Sequence, residues 1–141
     1  MKKKILIVVA NYYKNISKGL INSAIKEIKY SFNIKIIYVP GVFEIPVVIS
    51  KNINKYSGFV ALGCVIKGKT PHFDLITRSS FDAILKLSIL YNKPIGNGII
   101  TAFNVRQAHE RSGIIKSTKR NKGLEAVKAV LSILKNGPKK I

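Results

Sequence analysis

The chain of 141 residues carries one cysteine, one methionine, two histidines and no tryptophan. A single thiol, Cys64, excludes an internal disulfide and a cysteine-built zinc site. His72 and His109 lack the spacing of a metal-ligand pair, and no Ser-His-Asp or Cys-His arrangement can be built from them. Only six residues are acidic, and both aspartates, Asp74 and Asp82, fall within one helical segment. No apolar run approaches the ~18 residues a membrane span requires. The run Ile5 to Ala10 behind Met1-Lys2-Lys3-Lys4 is short and no small-residue cleavage site follows, so it does not read as a secretion signal. The expectation is a soluble, cytoplasmic protein with no membrane partner and no metal.

What is abundant is positive charge. Lysine and arginine number 25, a formal net charge of +19, with hydrophobic residues at 47% and charged residues at 22%. This composition is that of a globular protein, and the length predicts one domain over residues 1–141. So basic a chain raises nucleic acid as a partner. However, 21 of the 25 cations are lysine, and they rise together with 23 isoleucines and 11 asparagines, as a drift in composition would produce. No strand or helix interleaves aromatic and basic residues as a nucleic-acid-binding face does.

Apolar runs of strand length alternate with segments of helical period. Lys4 to Ala10 is continuous and β-branched, the pattern of a strand buried on both faces. Ser17 is placed to cap a helix with Leu20, Ile21, Ala24, Ile25 and Ile28 on one face. Ile34 to Val39 predicts a second strand and Phe43 to about Ile53 a helix, with Pro46 in its first turn. Phe59 to Ile66 predicts a third strand, Phe73 to Tyr91 a long helix, and Asn97 to Ala102 a fourth strand. Two more helices, Asn104 to Arg111 and Leu124 to Leu134, are joined by a basic connection from Ser112 to Lys122. A lysine-rich tail follows Asn136. Such alternation implies right-handed crossovers and a parallel sheet covered on both faces, with ligands beyond the carboxyl ends of the strands. That rule gathers Asn11 to Lys14, Pro40 to Glu44, Lys67 to His72 and Ala102 to Asn104 on one rim.

Residues 63–70, Gly-Cys-Val-Ile-Lys-Gly-Lys-Thr, satisfy the P-loop formula. Yet Cys64-Val65-Ile66 continues a strand, and no aspartate stands at a strand end to hold magnesium. A narrower reading is an anion site at Gly68, Lys69 and Thr70, between strand and helix start. His72, two residues on, is a neutral-range proton carrier beside it. Glu44 can satisfy a helix dipole or accept hydrogen bonds from ligand hydroxyls. Tyr12 and Tyr13 can pack the rim or stack on a flat ring. Cys64 reads as a small buried hydrophobe and His109 as a surface residue.

Three segments in order, Val39-Pro40-Gly41-Val42-Phe43-Glu44-Ile45-Pro46, then Gly63 to Asp74, then Gln107-Ala108-His109-Glu110-Arg111 with Asn121-Lys122-Gly123, resemble the 6,7-dimethyl-8-ribityllumazine synthases, over nearly the whole chain. The resemblance implies a flavodoxin-like three-layer α/β/α sandwich with a four-stranded parallel sheet. It also implies an enzyme that condenses 5-amino-6-(D-ribitylamino)uracil with 3,4-dihydroxy-2-butanone 4-phosphate in riboflavin biosynthesis, without metal or organic cofactor. Carried over position by position, Tyr12 would stack on the pyrimidine, while Val42, Phe43 and Glu44 would hold the uracil and ribityl chain. Cys64, Val65 and Ile66 would line the ring pocket, largely through backbone groups. Lys69 and Thr70 would bind the ketone's phosphate, with Gly68 as a secondary candidate, and His72 would donate the proton. From a neighbouring subunit, Asn97 would border the pyrimidine and Arg111 would clamp the phosphate, with Lys122 nearby. The competing readings are a P-loop-type nucleotide-binding protein and a basic nucleic-acid-binding module.

The sequence departs from the family pattern at three single positions and in the length of one connection. Tyr12 stands where Phe or Trp is common, Lys69 where a neutral or acidic residue is usual, and Asn97 where many members have Phe. The connection from Arg111 to Lys122 is about three residues longer than in members that build sixty-subunit shells, and the chain begins on its first strand. The resemblance therefore implies a homopentamer, alone or paired into a decamer, with active sites between subunits and riboflavin synthase as a candidate partner.

Overall fold

The computed structural model describes residues 2–28, 31–135, 138 and 141. Strands β1 (Lys4–Ala10), β2 (Asn33–Val39), β3 (Gly58–Ile66) and β4 (Ile95–Ala102) form one sheet in the order β2-β1-β3-β4, every pairing parallel. The two inner strands are those with continuous apolar runs. In β1, Ile5 to Val9 are completely buried, and β3 is buried from Gly58 to Val65. The edge strand β2 is half exposed along its length, because one of its sides faces solvent.

Helices α1 (Lys14–Ile28), α2 (Ile45–Lys51), α3 (His72–Tyr91), α4 (Val105–Arg111) and α5 (Lys122–Lys135) cover the two faces. Alternation along β1 separates two cores. Ile5, Ile7 and Val9 pack against Leu20 and Ala24 of α1 and Ala126, Val127 and Val130 of α5. Leu6, Val8 and Ala10 pack against Val42, Ile45 and Ile49 and against Ile84 of α3. Each of the valine, leucine and isoleucine side chains among them contributes roughly 1.5–3 kcal/mol by leaving water. The result is the flavodoxin-like three-layer α/β/α arrangement with a four-stranded parallel sheet.

Local details differ from the sequence expectation in instructive ways. Ser17 lies inside α1 and caps nothing; its buried Oγ donates to the Ala10 carbonyl at 2.9 Å. Ile25 is exposed, and Ile16 joins the buried face in its place. The helix expected from Phe43 to Ile53 is a 3-10 turn at Val42–Glu44 followed by α2, with Pro46 in the first turn of α2. The basic connection stops at Asn121, because the Asn121 side chain accepts from the Gly123 and Leu124 amides and so caps α5 ahead of Lys122. Of the tail expected after Asn136, Asn136, Gly137, Lys139 and Lys140 lie outside the described residues.

Several glycines permit close approach, and two of them bear on the site. A Cβ on Gly63 would come within 2.9 Å of Val42 and 3.0 Å of Ala10, so only glycine lets Val42 seat against β3. A Cβ on Gly19 would run into the Ser112 carbonyl, which fixes the start of the basic connection against α1. Asn121 fixes its other end, donating to the Gly19 carbonyl at 3.4 Å. Among the described residues, no helix is long and apolar enough to cross a membrane.

Candidate active site

All four strands run the same way, so the segments after Ala10, Val39, Ile66 and Ala102 come to one rim. The order β2-β1-β3 places the topological switch point between β1 and β3, where ligands of such sheets bind. A cleft of about 260 Å³ opens there, lined by Tyr12, Tyr13, Gly41, Val42, Cys64, Val65, Ile66, His72 and Ile76. Its size is just below that of drug-sized sites, room for one ring rather than a whole large ligand.

The aromatic wall is built from two tyrosines with different tasks. Their rings meet edge to face, with centroids 4.8 Å apart and planes at 83°. Tyr13 packs against the core, and its hydroxyl is pushed to higher pKa by burial first, then by Cys64 and Tyr12. Tyr12 is 75% exposed, which leaves ring surface free to stack. Burial pushes the Cys64 thiol up to about 12. It is therefore uncharged at neutral pH and cannot serve as a thiolate nucleophile.

His72 is the first residue of α3, exposed on the lip of the cleft. Ile76, one turn later on the same face, lines the cleft with it; that i, i+4 spacing was the signal by which the sequence could have pointed to it. Gly68, Lys69 and Thr70 are exposed in the adjoining segment and do not line the cleft. A Cβ on Gly68 would meet nothing, and among the described residues the one glycine with positive φ is Gly113. Gly63, the first glycine of the P-loop formula, is a strand residue paired with Ile99. Residues 63–70 are thus a strand end and a short turn, without the cradle of a P-loop. Lys67 is occupied over the Phe103 ring, 5.4 Å from its centroid.

Phe43 and Glu44 face a neighbouring groove with Pro46, Val47, Ser79, Ser80 and Ala83. Val42 alone of that trio reaches the ring cleft, and its side chain is buried.

Asn97, Arg111 and Lys122 lie elsewhere. Asn97 sits on β4, at the free edge of the sheet, where its Oδ1 accepts from the Ile99 amide at 3.0 Å. Arg111 and Lys122 line a second cleft of about 210 Å³ with Ile100, Thr101, Lys119, Arg120 and Glu125. Arg111 is steadied by a 3.2 Å bond to the Gln107 carbonyl, and Lys122 lies 3.6 Å from Glu125. Gln107 in turn accepts from the Phe103 amide, and Asn104 caps α4. His109, expected at the surface, is half-buried beside Tyr13 and Ile66. Among the described residues, no three His, Cys, Asp or Glu side chains gather as a metal site.

Parallel topology, a switch-point cleft walled by tyrosine and a second, cationic cleft define a flavodoxin-like α/β protein with two candidate ligand sites. The family model for 6,7-dimethyl-8-ribityllumazine synthase matches residues 2–136. A protein of that description from Bartonella tribocorum is 40% identical over 140 residues, covering 95% of this chain and 91% of its own length. One from Wigglesworthia glossinidia brevipalpis is 39% identical, covering 93% and 88%. One from Protochlamydia amoebophila is 35% identical, covering 97% and 87%. The chain belongs to the 6,7-dimethyl-8-ribityllumazine synthase family.

Proposed function

We propose that the protein, as a single domain over residues 1–141, condenses 5-amino-6-(D-ribitylamino)uracil with 3,4-dihydroxy-2-butanone 4-phosphate. The products are 6,7-dimethyl-8-ribityllumazine, phosphate and water, the penultimate step of riboflavin biosynthesis. The uracil's amine attacks the ketone and forms an imine with loss of one water, phosphate is eliminated, and ring closure with loss of a second water completes the second ring. Tyr12 stacks on the pyrimidine, with Cys64, Val65 and Ile66 beneath it. Val42, Phe43 and Glu44 hold the uracil and ribityl chain, and Glu44 takes ribityl hydroxyls. His72 moves the proton. Lys69 and Thr70 meet the phosphate from one side, Arg111 and Lys122 of an adjacent copy from the other, and Asn97 of that copy borders the ring. The cations stabilise negative charge as the phosphate departs; holding amine and ketone together supplies the rest.

The observation that carries this reading is the division of the residues between two clefts, Tyr12 and His72 in one and Arg111 and Lys122 in the other. A complete site then needs the first cleft of one copy against the second cleft of the next. Such a head-to-tail contact makes a ring when its rotation closes, and a ring of five is what the resemblance implies. Support comes also from α3, which buries only Ser80 and Ile84 completely while exposing Leu75, Leu85, Ile89 and Leu90, an apolar face of the kind that marks an interface. The protein acts in the cytoplasm, and riboflavin synthase, which consumes the product, is the candidate partner. The test mixes the two substrates and follows lumazine absorbance and fluorescence. Product formation above the uncatalysed background is expected, and its absence would remove the assignment.

A further inference from the structure

The second cleft holds more positive charge than Arg111 and Lys122 provide. Lys119 and Arg120 line it too, so four cations surround about 210 Å³ against one carboxylate, Glu125. That carboxylate lies beside Lys122; among the described residues no acid lies within ion-pair distance of Lys119 or Arg120. Lysine drift does not explain the arrangement. The chain has four arginines, and two of them, Arg111 and Arg120, line this one cleft. Nor is the connection that bears them loosely placed. Its ends are held at Ser112 and Asn121 as described above. Between them, Ser117 Oγ donates to Glu110 Oε2 at 3.1 Å and accepts from the Lys119 amide at 3.0 Å. Glu110 thus latches the turn from outside the cleft and leaves its charge unneutralised.

We infer that Lys119 and Arg120 are substrate-collecting residues that extend the phosphate cleft of Arg111 and Lys122, with Ser117 and Glu110 as the positioning residues that hold them over it. The inference rests on the proposed activity for its substrate, a phosphate monoester, while its chemistry, recognition of a phosphate dianion, stands apart from it. Counting Glu125, the cleft has a formal surplus of three positive charges for a ligand carrying two negative ones. Converging charges in a walled cleft raise local anion concentration, an effect that salt removes.

The experiment compares wild type, K119A/R120A, the charge-preserving K119R/R120K, and S117A with S117T. Inorganic phosphate binding is measured by calorimetry at low and high salt, alongside steady-state kinetics. For K119A/R120A, phosphate affinity falls and KM for the ketone phosphate rises, each by about tenfold at low salt. KM for the uracil substrate and kcat stay within twofold, and the salt dependence flattens. K119R/R120K retains wild-type behaviour. S117A shows a smaller rise in the same KM, and S117T restores it. Unchanged phosphate affinity and KM in K119A/R120A would overturn the inference, as would an equal defect in K119R/R120K. If wild type forms no lumazine, the proposed activity fails, and phosphate titration alone then decides the inference.

Discussion

The Ser17 hydroxyl donates a buried 2.9 Å hydrogen bond to the carbonyl of Ala10. It joins the first turns of α1 to the last residue of β1, across the turn that carries Tyr12 and Tyr13. Ala10 is 3% exposed, so water cannot take over as donor. Ser17→Ala is expected to lose about 1–3 kcal/mol of stability, the cost of stranding a buried acceptor. Urea unfolding would measure it; a change below 0.5 kcal/mol, about the scatter of neutral surface substitutions, would show that the bond is dispensable.

His72 and Arg111 should separate kinetically. His72→Ala is expected to lower kcat by about tenfold, at the low end for proton transfer because the condensation also proceeds slowly unaided. Arg111→Ala is expected to raise KM for the ketone phosphate by roughly 10–100-fold, the loss of a charge-assisted hydrogen bond. Steady-state kinetics with each substrate varied in turn distinguishes the two. A rise confined to the uracil KM in Arg111→Ala would count against its phosphate role.

Cys64 makes a pH prediction. Its pKa is raised by burial from 9.0 to about 12, so the folded state holds the thiol proton where the unfolded chain releases it. Stability from this group is complete below about pH 9 and declines as pH rises towards 12. Thermal melts of wild type and Cys64→Ala between pH 8 and 11 should show a steeper alkaline decline in wild type. Alkylation of the native protein at pH 8 should be slow beside that of the unfolded chain, and rapid native labelling would contradict the burial argument.

Assembly can be read from mass. Five copies of a 15.6 kDa chain weigh about 78 kDa and carry a formal charge five times +19. Light scattering should give that mass or twice it, and the assembled fraction should grow as salt screens the repulsion. A mass near one megadalton would indicate a shell instead.

Strand and helix order, the parallel sheet and the rim were legible in the sequence because buried parallel strands are continuous apolar runs and helices carry a different period. The positions of Tyr12 and His72 followed from that rim. Glycine and asparagine roles were not legible: Gly63, Gly19 and Asn121 matter through atoms far away in sequence, such as Val42 and Ser112. Their demands arise only when elements cross.

The charge shows the same boundary. Sequence alone established the surplus of cations, and the abundance of lysine, isoleucine and asparagine showed why the total says little about function. Only the tertiary structure decided which cations share a space. It brings Lys119 and Arg120 into the cleft of Arg111 and Lys122, while Lys67 is held on Phe103. Charge is additive along a chain, but its field depends on distance, and distance belongs to the fold.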